Sequence, residues 1–423
     1  MKRIALLLLA TLLPAQALHA SPSLTLDQAL TTAQKNHPQI IEARENLNGA
    51  QARTGQASAG YYPQVSIAAD WSRGRSFLTA LESIKMTEVH TETVYLKQTI
   101  YDFGRTSGAV QAAFGNRDAA DNALATTRQD LALRVKSSFY LALATERQLV
   151  AVRETVTSRE AVLRQAREFF NQGIRAKVDT ARAEANFFTA RTALIRAENN
   201  RELARVELAN AMGLAALDES TLVEPAQALL SFPERSEAQR EALGNRAELK
   251  QMTALERAAS ANLDSAKSSY LPILSGTASV GYADRDFPPE GRVWAVGLNL
   301  TMPLFSGFSS LKQVREARAN IGAVEARRGN LKLQIVKEVE TAWLGANEAA
   351  ARMISTEKEV AAAGESQALA EGRYHEGVGS IIEVTDAQTL ALDAQTSHIQ
   401  AMYDYQTSLA RLDRAVGMEP SGR

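Results

Sequence analysis

Cysteine is absent from this 423-residue chain, prolines number only 11, and no apolar run reaches the roughly 20 residues that a membrane-spanning helix needs. The first absence excludes a disulfide framework and a thiol-linked lipid anchor. Charge of one sign is lacking as well, since 47 Lys and Arg face 48 Asp and Glu. Nucleic acid would call for a basic excess or stripe and is excluded as a partner. The motifs H-E-x-x-H, G-x-S-x-G, G-x-G-x-x-G and G-x-x-x-x-G-K are all missing. His37, His90, His375 and His398 are scattered without ligand spacing, and most carboxylates are interleaved with Arg and Lys as on a solvated face. No enzyme, cofactor or metal site is expected.

What is present begins with residues 1–20. Lys2 and Arg3 precede the apolar run from Ile4 to Leu13, and small residues follow at Ala15, Ala17 and Ala20. This is the layout of a secretory signal peptide cleaved after Ala17 or Ala20, so export is expected. The processed chain would carry 45 basic against 48 acidic residues and be mildly acidic.

No proline falls between Pro63 and Pro225 or between Pro303 and Pro420, and the bracketed segments are rich in Ala, Arg, Glu, Leu and Gln, which favour helix. Val135, Ala142, Leu149, Val156, Leu163 and Phe170 recur every seven residues, as in a coiled-coil seam. A helix from Arg105 to Phe170 would be on the order of 100 Å long, too long for a compact globule. The seam returns 204 positions later at Val339, Ala346, Met353 and Val360, breaks at Gln367, and ends at Tyr374, the counterpart of Phe170. Gly173 and Gly377 share that offset, as do Asp179 and Glu383, which reads as an internal duplication. Upstream, Tyr61-Tyr62-Pro63 meets Tyr270-Leu271-Pro272 at an offset of 209, so the first copy holds five extra residues, most simply in a loop. The organisation expected is a first repeat over 21–222, a linker over 223–235 marked by Pro225 and Pro233, a second repeat over 236–418 and a tail over 419–423.

Each copy also holds two segments of period two. Val65, Ile67, Ala69 and Trp71 share one face of the first, and Val94, Leu96 and Ile100 one face of the second. In the other copy Leu274, Ala278, Val280 and Tyr282 align, as do Trp294, Val296, Leu298, Leu300 and Met302. Four strands of about ten residues are predicted, in hairpins over about 63–101 and about 272–303. One apolar face with Tyr or Trp near its ends suits a transmembrane β-strand, and soluble hairpins packed on helices are the alternative. A sheet in lipid must close, and the smallest barrels have about eight strands. Four strands cannot close alone. Two chains would supply eight and three would supply twelve, and only the latter would leave a water-filled lumen.

The chain resembles the TolC family of outer-membrane efflux and secretion ducts over essentially its whole processed length. The resemblance is carried by Leu24-Thr25-Leu26-Asp27-Gln28-Ala29-Leu30, by Tyr62-Pro63, and by the run from Gln98 to Arg105 with its echo Pro303-Leu304-Phe305-Ser306-Gly307. The run from Tyr374 to Gln388 is similar to the family's second periplasmic hairpin tip. The resemblance implies a mixed α and transmembrane β-barrel fold, a long α-helical barrel continuous with a trimer-shared twelve-stranded β-barrel. It implies a passive homotrimeric exit duct in the bacterial outer membrane, most of each chain in the periplasm. Its partners would be a periplasmic adaptor and an inner-membrane RND, ABC or MFS transporter of a tripartite efflux pump or type I secretion system. The absent cysteine separates the chain from the lipid-anchored branch. Competing classes are a periplasmic coiled-coil scaffold or adaptor-like protein outside the membrane, and a stand-alone porin.

The resemblance also implies a periplasmic gate built from Tyr374, Glu383 and Asp386 in the second tip and Asp179 in the first. Gly379 stands where the prototype has an arginine, which leaves Arg175 and Arg182 as candidate substitutes. Threefold symmetry would repeat inward carboxylates in a ring, at once cation filter and latch. Asp179 and Glu383, near helix starts, would equally complement the helix dipole. Gly173 and Gly377 are expected to permit tight turns and, with Ile174 and Val378, to form the surface an adaptor grips.

Overall fold

The computed structural model describes residues 23–78, 83–217, 220–225 and 233–419. The expected signal peptide, most of the linker and most of the tail lie outside these residues. Strand β1 (Ser23–Leu24) leads into helix α1 (Leu26–Asn36) through a capping box. The Thr25 hydroxyl accepts from the Gln28 amide at 3.3 Å, and the Gln28 side chain accepts from the Thr25 amide at 2.9 Å. His37 caps α2 (Pro38–Ser58), whose first turn holds Pro38, where a missing N–H costs nothing. Then come β2 (Gln64–Leu78), β3 (Ser83–Tyr101), α3 (Arg105–Asn171), α4 (Lys177–Ala211) and β4 (Thr221–Leu222), which pairs in parallel with β1.

The order then recurs as α5 (Arg235–Asn245), α6 (Ala247–Lys267), β5 (Ile273–Asp284), β6 (Arg292–Thr301), α7 (Ser309–His375) and α8 (Ile381–Val416). Helices α3 and α7 have 67 residues each, about 100 Å at 1.5 Å per residue. Because these two are equal, the five residues that the first half has in excess fall in its hairpin. The strands of that hairpin are the longer pair: β2 and β3 run to 15 and 19 residues, against 12 and 10 in β5 and β6. The expected length of about ten is therefore corrected for the first hairpin. Alternation fades beyond Ser72 because Arg73, Arg75 and Glu88 are polar, yet backbone pairing continues to Leu78 and Ser83.

The four long strands form one antiparallel sheet in the order β2-β3-β5-β6, leaving β2 and β6 as open edges. Register aligns the apolar positions of all four. Ile67, Val94, Val280 and Trp294 lie in one row, and Val65, Leu96, Ala278 and Val296 in the next. Ile100 departs from this register, since a bulge falls between Thr99 and Tyr101. The face is exposed along its length, with Trp294, Val296 and Leu298 more than three-quarters accessible.

Below the sheet, α3 packs on α2, α4, α6 and α8, while α7 packs on α6 and α8. The heptad residues Val135, Ala142, Leu149, Leu163, Val339 and Ala346 are buried, and so is Tyr374. Val156, Met353 and Val360 are half-buried, and Phe170 is exposed, at 41%. The contact row at this end of α3 steps from Leu163 to Ala166 to Phe169 in threes, which turns the next heptad position to solvent.

Candidate entrance gate at the helical tips

The two long helices end alike. After α3, Gly173 takes φ +73°, its amide donates to the Phe170 carbonyl at 3.0 Å, and the Ile174 amide donates to Phe169 at 2.9 Å. After α7, Gly377 takes φ +75°, its amide donates to Tyr374 at 3.0 Å, and the Val378 amide donates to Arg373 at 3.0 Å. Left-handed backbone closes each helix, and glycine adopts it without a Cβ penalty. The turns leave Ile174 and Val378 exposed at the two tips. Ser380 then caps α8 by accepting from the Glu383 amide at 3.1 Å.

Gly379 follows so closely on the end of α7 that a Cβ there would stand 2.9 Å from the Tyr374 nitrogen. No arginine fits at this position without moving the turn. A guanidinium arrives instead from the other tip: Arg175 donates through Nη2 to the carbonyls of Gly377 at 2.8 Å and Gly379 at 2.6 Å. Arg182 is exposed on α4.

Tyr374 is 1% exposed, packed with Leu163, Ala166, Ile381 and Val384 and set edge-on to Phe169 with centroids 5.8 Å apart. Its hydroxyl is buried without a hydrogen-bond partner among the described residues. Burial raises its pKa, the nearby Asp179 charge raises it further, and Arg175 offsets part of the shift. Asp179 is half-buried in the first turn of α4. Glu383 is exposed and turns to Arg373 at 3.5 Å, while Asp386 faces solvent one turn along α8. The structure thus gathers Arg175, Tyr374 and Asp179, and leaves Glu383, Asp386 and Arg182 at the surface.

Sequence reasoning missed Arg373 and a polar seam farther up. Buried Arg159 donates to the Asn186 carbonyl at 3.2 Å and to Thr389 Oγ1 at 3.1 Å. Glu371 accepts from Ser158, Gln388 and Gln367, each at 2.9 Å. These bonds tie the α3–α4 hairpin to the α7–α8 hairpin. Ser158 and Arg159, two and three positions after heptad residue Val156, were the available signal, polar residues beside an apolar seam. The tips hold charge and bind helices together.

Two helical hairpins of this length, joined through one antiparallel sheet, define a class of outer-membrane channel. The family model for outer membrane efflux proteins matches residues 29–214 and 238–418, so the chain belongs to that family. It is 28% identical over 404 residues to protein CyaE of Bordetella pertussis, covering 93% of this chain and 84% of that one. It is 23% identical to outer membrane protein TolC of Escherichia coli K12, covering 92% and 81%, and 23% identical to the alkaline protease secretion protein AprF of Pseudomonas aeruginosa, covering 90% and 82%. The solved structure of the outer membrane protein VceC of Vibrio cholerae superposes with a TM-score of 0.80 at 19% identity, over 94% of this chain and 97% of that one. The chain is an outer-membrane efflux or secretion duct, of a transport family and not an enzyme family. No helix among the described residues is long and apolar enough to cross a membrane.

Proposed function

We propose that three copies of this chain assemble a passive exit duct that spans the outer membrane through a shared twelve-stranded barrel and continues into the periplasm as an α-helical tunnel. One observation carries this reading, a four-stranded sheet with a continuous apolar face and two open edges. Open edges cannot be left in lipid, so β6 of one copy pairs with β2 of the next until the ring closes. From Leu300 to Trp294 the apolar face rises about 20 Å at 3.4 Å per residue, near the roughly 25 Å band of outer-membrane barrels. Trp294 sits below Arg292 in the outermost apolar row, and Trp71, four residues farther out along β2, sits below Arg73 and Arg75.

The recurrence of helix, hairpin and long helix in each half supports reading the chain as two copies of one unit, each supplying two strands and one tip. At the tips, symmetry repeats Asp179, Glu383 and Asp386 around the axis, where like charges repel unless cations or arginines intervene. Arg175 serves as the arginine partner that Gly379 lacks. Gly173, Ile174, Gly377 and Val378 form the surface for a periplasmic adaptor, which links the duct to an inner-membrane pump that supplies the energy. Purified protein reconstituted in planar bilayers tests this. Single-channel conductance from a species of trimer mass supports the duct, whereas a chain released from membranes by high-salt washing and silent in bilayers would be a periplasmic scaffold.

A further inference from the structure

Two recesses of about 630 and about 480 Å³ open side by side around the start of α6, sharing Asn122 and Lys250. Arg44, Arg128 and Lys250 line the first, Arg257, Arg328 and Lys332 extend the surface into the second, and among the described residues Glu419 is the single acid lining either. In a chain of net charge −1 this is a marked concentration of one sign. Arg257 and Arg328 are held by Asp118 at 3.4 Å and Glu256 at 2.5 Å. Arg44, Arg128, Lys250 and Lys332 make no ion pair among the described residues. Unpaired like charges gathered from α2, α3, α6 and α7 repel one another, a cost that an anionic occupant would reverse.

The same walls carry neutral hydrogen-bonding groups. The amides of Gln34, Asn122 and Asn245 line the first recess. Helix α6 also begins there without a side-chain cap, because Arg246 stands where its counterpart His37 accepts from the Gln39 amide in α2. A cationic rim with amide groups between matches a ligand in which carboxylates alternate with peptide amides and hydroxyls.

Height along the molecule narrows the source. Asn122 and Arg128 lie 17 and 23 residues along α3 from Arg105, about 26 and 35 Å of helix from the end of the sheet. With the sheet in the membrane, that exceeds the roughly 8 to 10 Å over which exposed charges act at physiological salt, so headgroups are out of reach. We propose that this surface docks an anionic, amide-bearing polymer of the periplasm, a glycan carrying carboxylate-rich peptides, and thereby anchors the duct in the wall layer. The placement rests on the duct reading; the charge pattern does not.

Cell-wall sacculi from a Gram-negative bacterium are the probe. The full chain in detergent is expected to co-sediment with them, several-fold less as NaCl rises from about 0.05 to about 0.3 M. Arg128→Glu, Lys250→Glu and Lys332→Glu combined should lower the sedimented fraction by about tenfold. Arg164→Glu, an exposed charge near the tips, should leave it unchanged. Soluble peptide-bearing wall fragments should compete. Undiminished sedimentation of the triple variant, equal loss with Arg164→Glu, or displacement by polyphosphate but not by wall fragments would overturn the proposal. Conductance and outer-membrane fractionation of the same variants report on the duct separately, so a failed duct and a failed docking surface give different results.

Discussion

Arg175 donates to the carbonyl oxygens of Gly377 and Gly379, which lie 202 and 204 positions further along the chain. A guanidinium on two backbone carbonyls is a charge-assisted bond. Arg175→Met is expected to free the second tip from the first and raise single-channel conductance several-fold. Arg175→Lys should restore only part of the closure, since an ammonium lacks the planar fork. Arg182→Met should change nothing. Equal conductance of Arg175→Met and wild type would remove Arg175 from the gate.

Asp386 is exposed, and the Glu383 carboxylate is paired with Arg373. If the trimer rings these carboxylates around its entrance, Asp386→Ala, and more strongly Glu383→Ala with Asp386→Ala, should raise conductance and weaken cation selectivity. Reversal potentials in a salt gradient read the second effect. Both quantities unchanged in the double variant would leave the acids as helix-dipole partners only.

Gly377 combines a φ of +75° with open space around its missing Cβ. Gly377→Trp therefore strains the turn by about 1–2 kcal/mol without a clash, while its bulk covers the tip. Export is expected to stop with the trimer intact on a native gel. Loss of the trimer would reduce the glycine to a folding role.

Tyr374 buries a ring in apolar company and a hydroxyl with no partner among the described residues. Tyr374→Phe keeps the ring and removes a hydroxyl whose burial costs about 1–3 kcal/mol, so stability should hold or rise slightly. Tyr374→Ala should lose about 3–5 kcal/mol through the cavity it leaves. Thermal melts of the two variants in detergent separate these outcomes, and a destabilised Phe variant would mean that the hydroxyl is bonded in the assembled protein.

Glu248 joins the start of α6 to the end of α8, accepting from Arg246 at 3.0 and 2.9 Å and from Arg414 at 2.6 Å. Burial acts to raise its pKa, but the bonds from Arg246 and Arg414 outweigh burial and hold it below the usual carboxylate value. A depressed carboxylate stabilises the fold above its unfolded pKa and loses that contribution as acid is added. Unfolding should therefore become easier as pH falls below about 4.5, and Glu248→Gln should flatten that part of the profile. An identical acid limb in the variant would place the sensitivity elsewhere.

The long helices were legible because their causes are local: proline-free stretches of strong helix formers, a heptad seam, and glycines that close each end. Alternation likewise exposed the apolar face of each strand. Its reach was understated for β2 and β3, whose polar outer ends pair through backbone alone. The tips were legible only as a list. Tyr374 and Asp179 could be named, but Arg373 was missed and Arg175 could not be separated from Arg182.

Composition and periodicity alone determined that this chain builds two very long helices, strands with one apolar face and tight glycine turns, since each depends on neighbours within a few residues. Tertiary structure decided the rest. That β3 lies beside β5, that Phe169 and not Phe170 meets Tyr374, and that a backbone crowded around Gly379 receives its arginine from the opposite tip all join residues far apart in sequence. Such pairings follow from how whole helices and hairpins come to rest on one another, which no local pattern encodes.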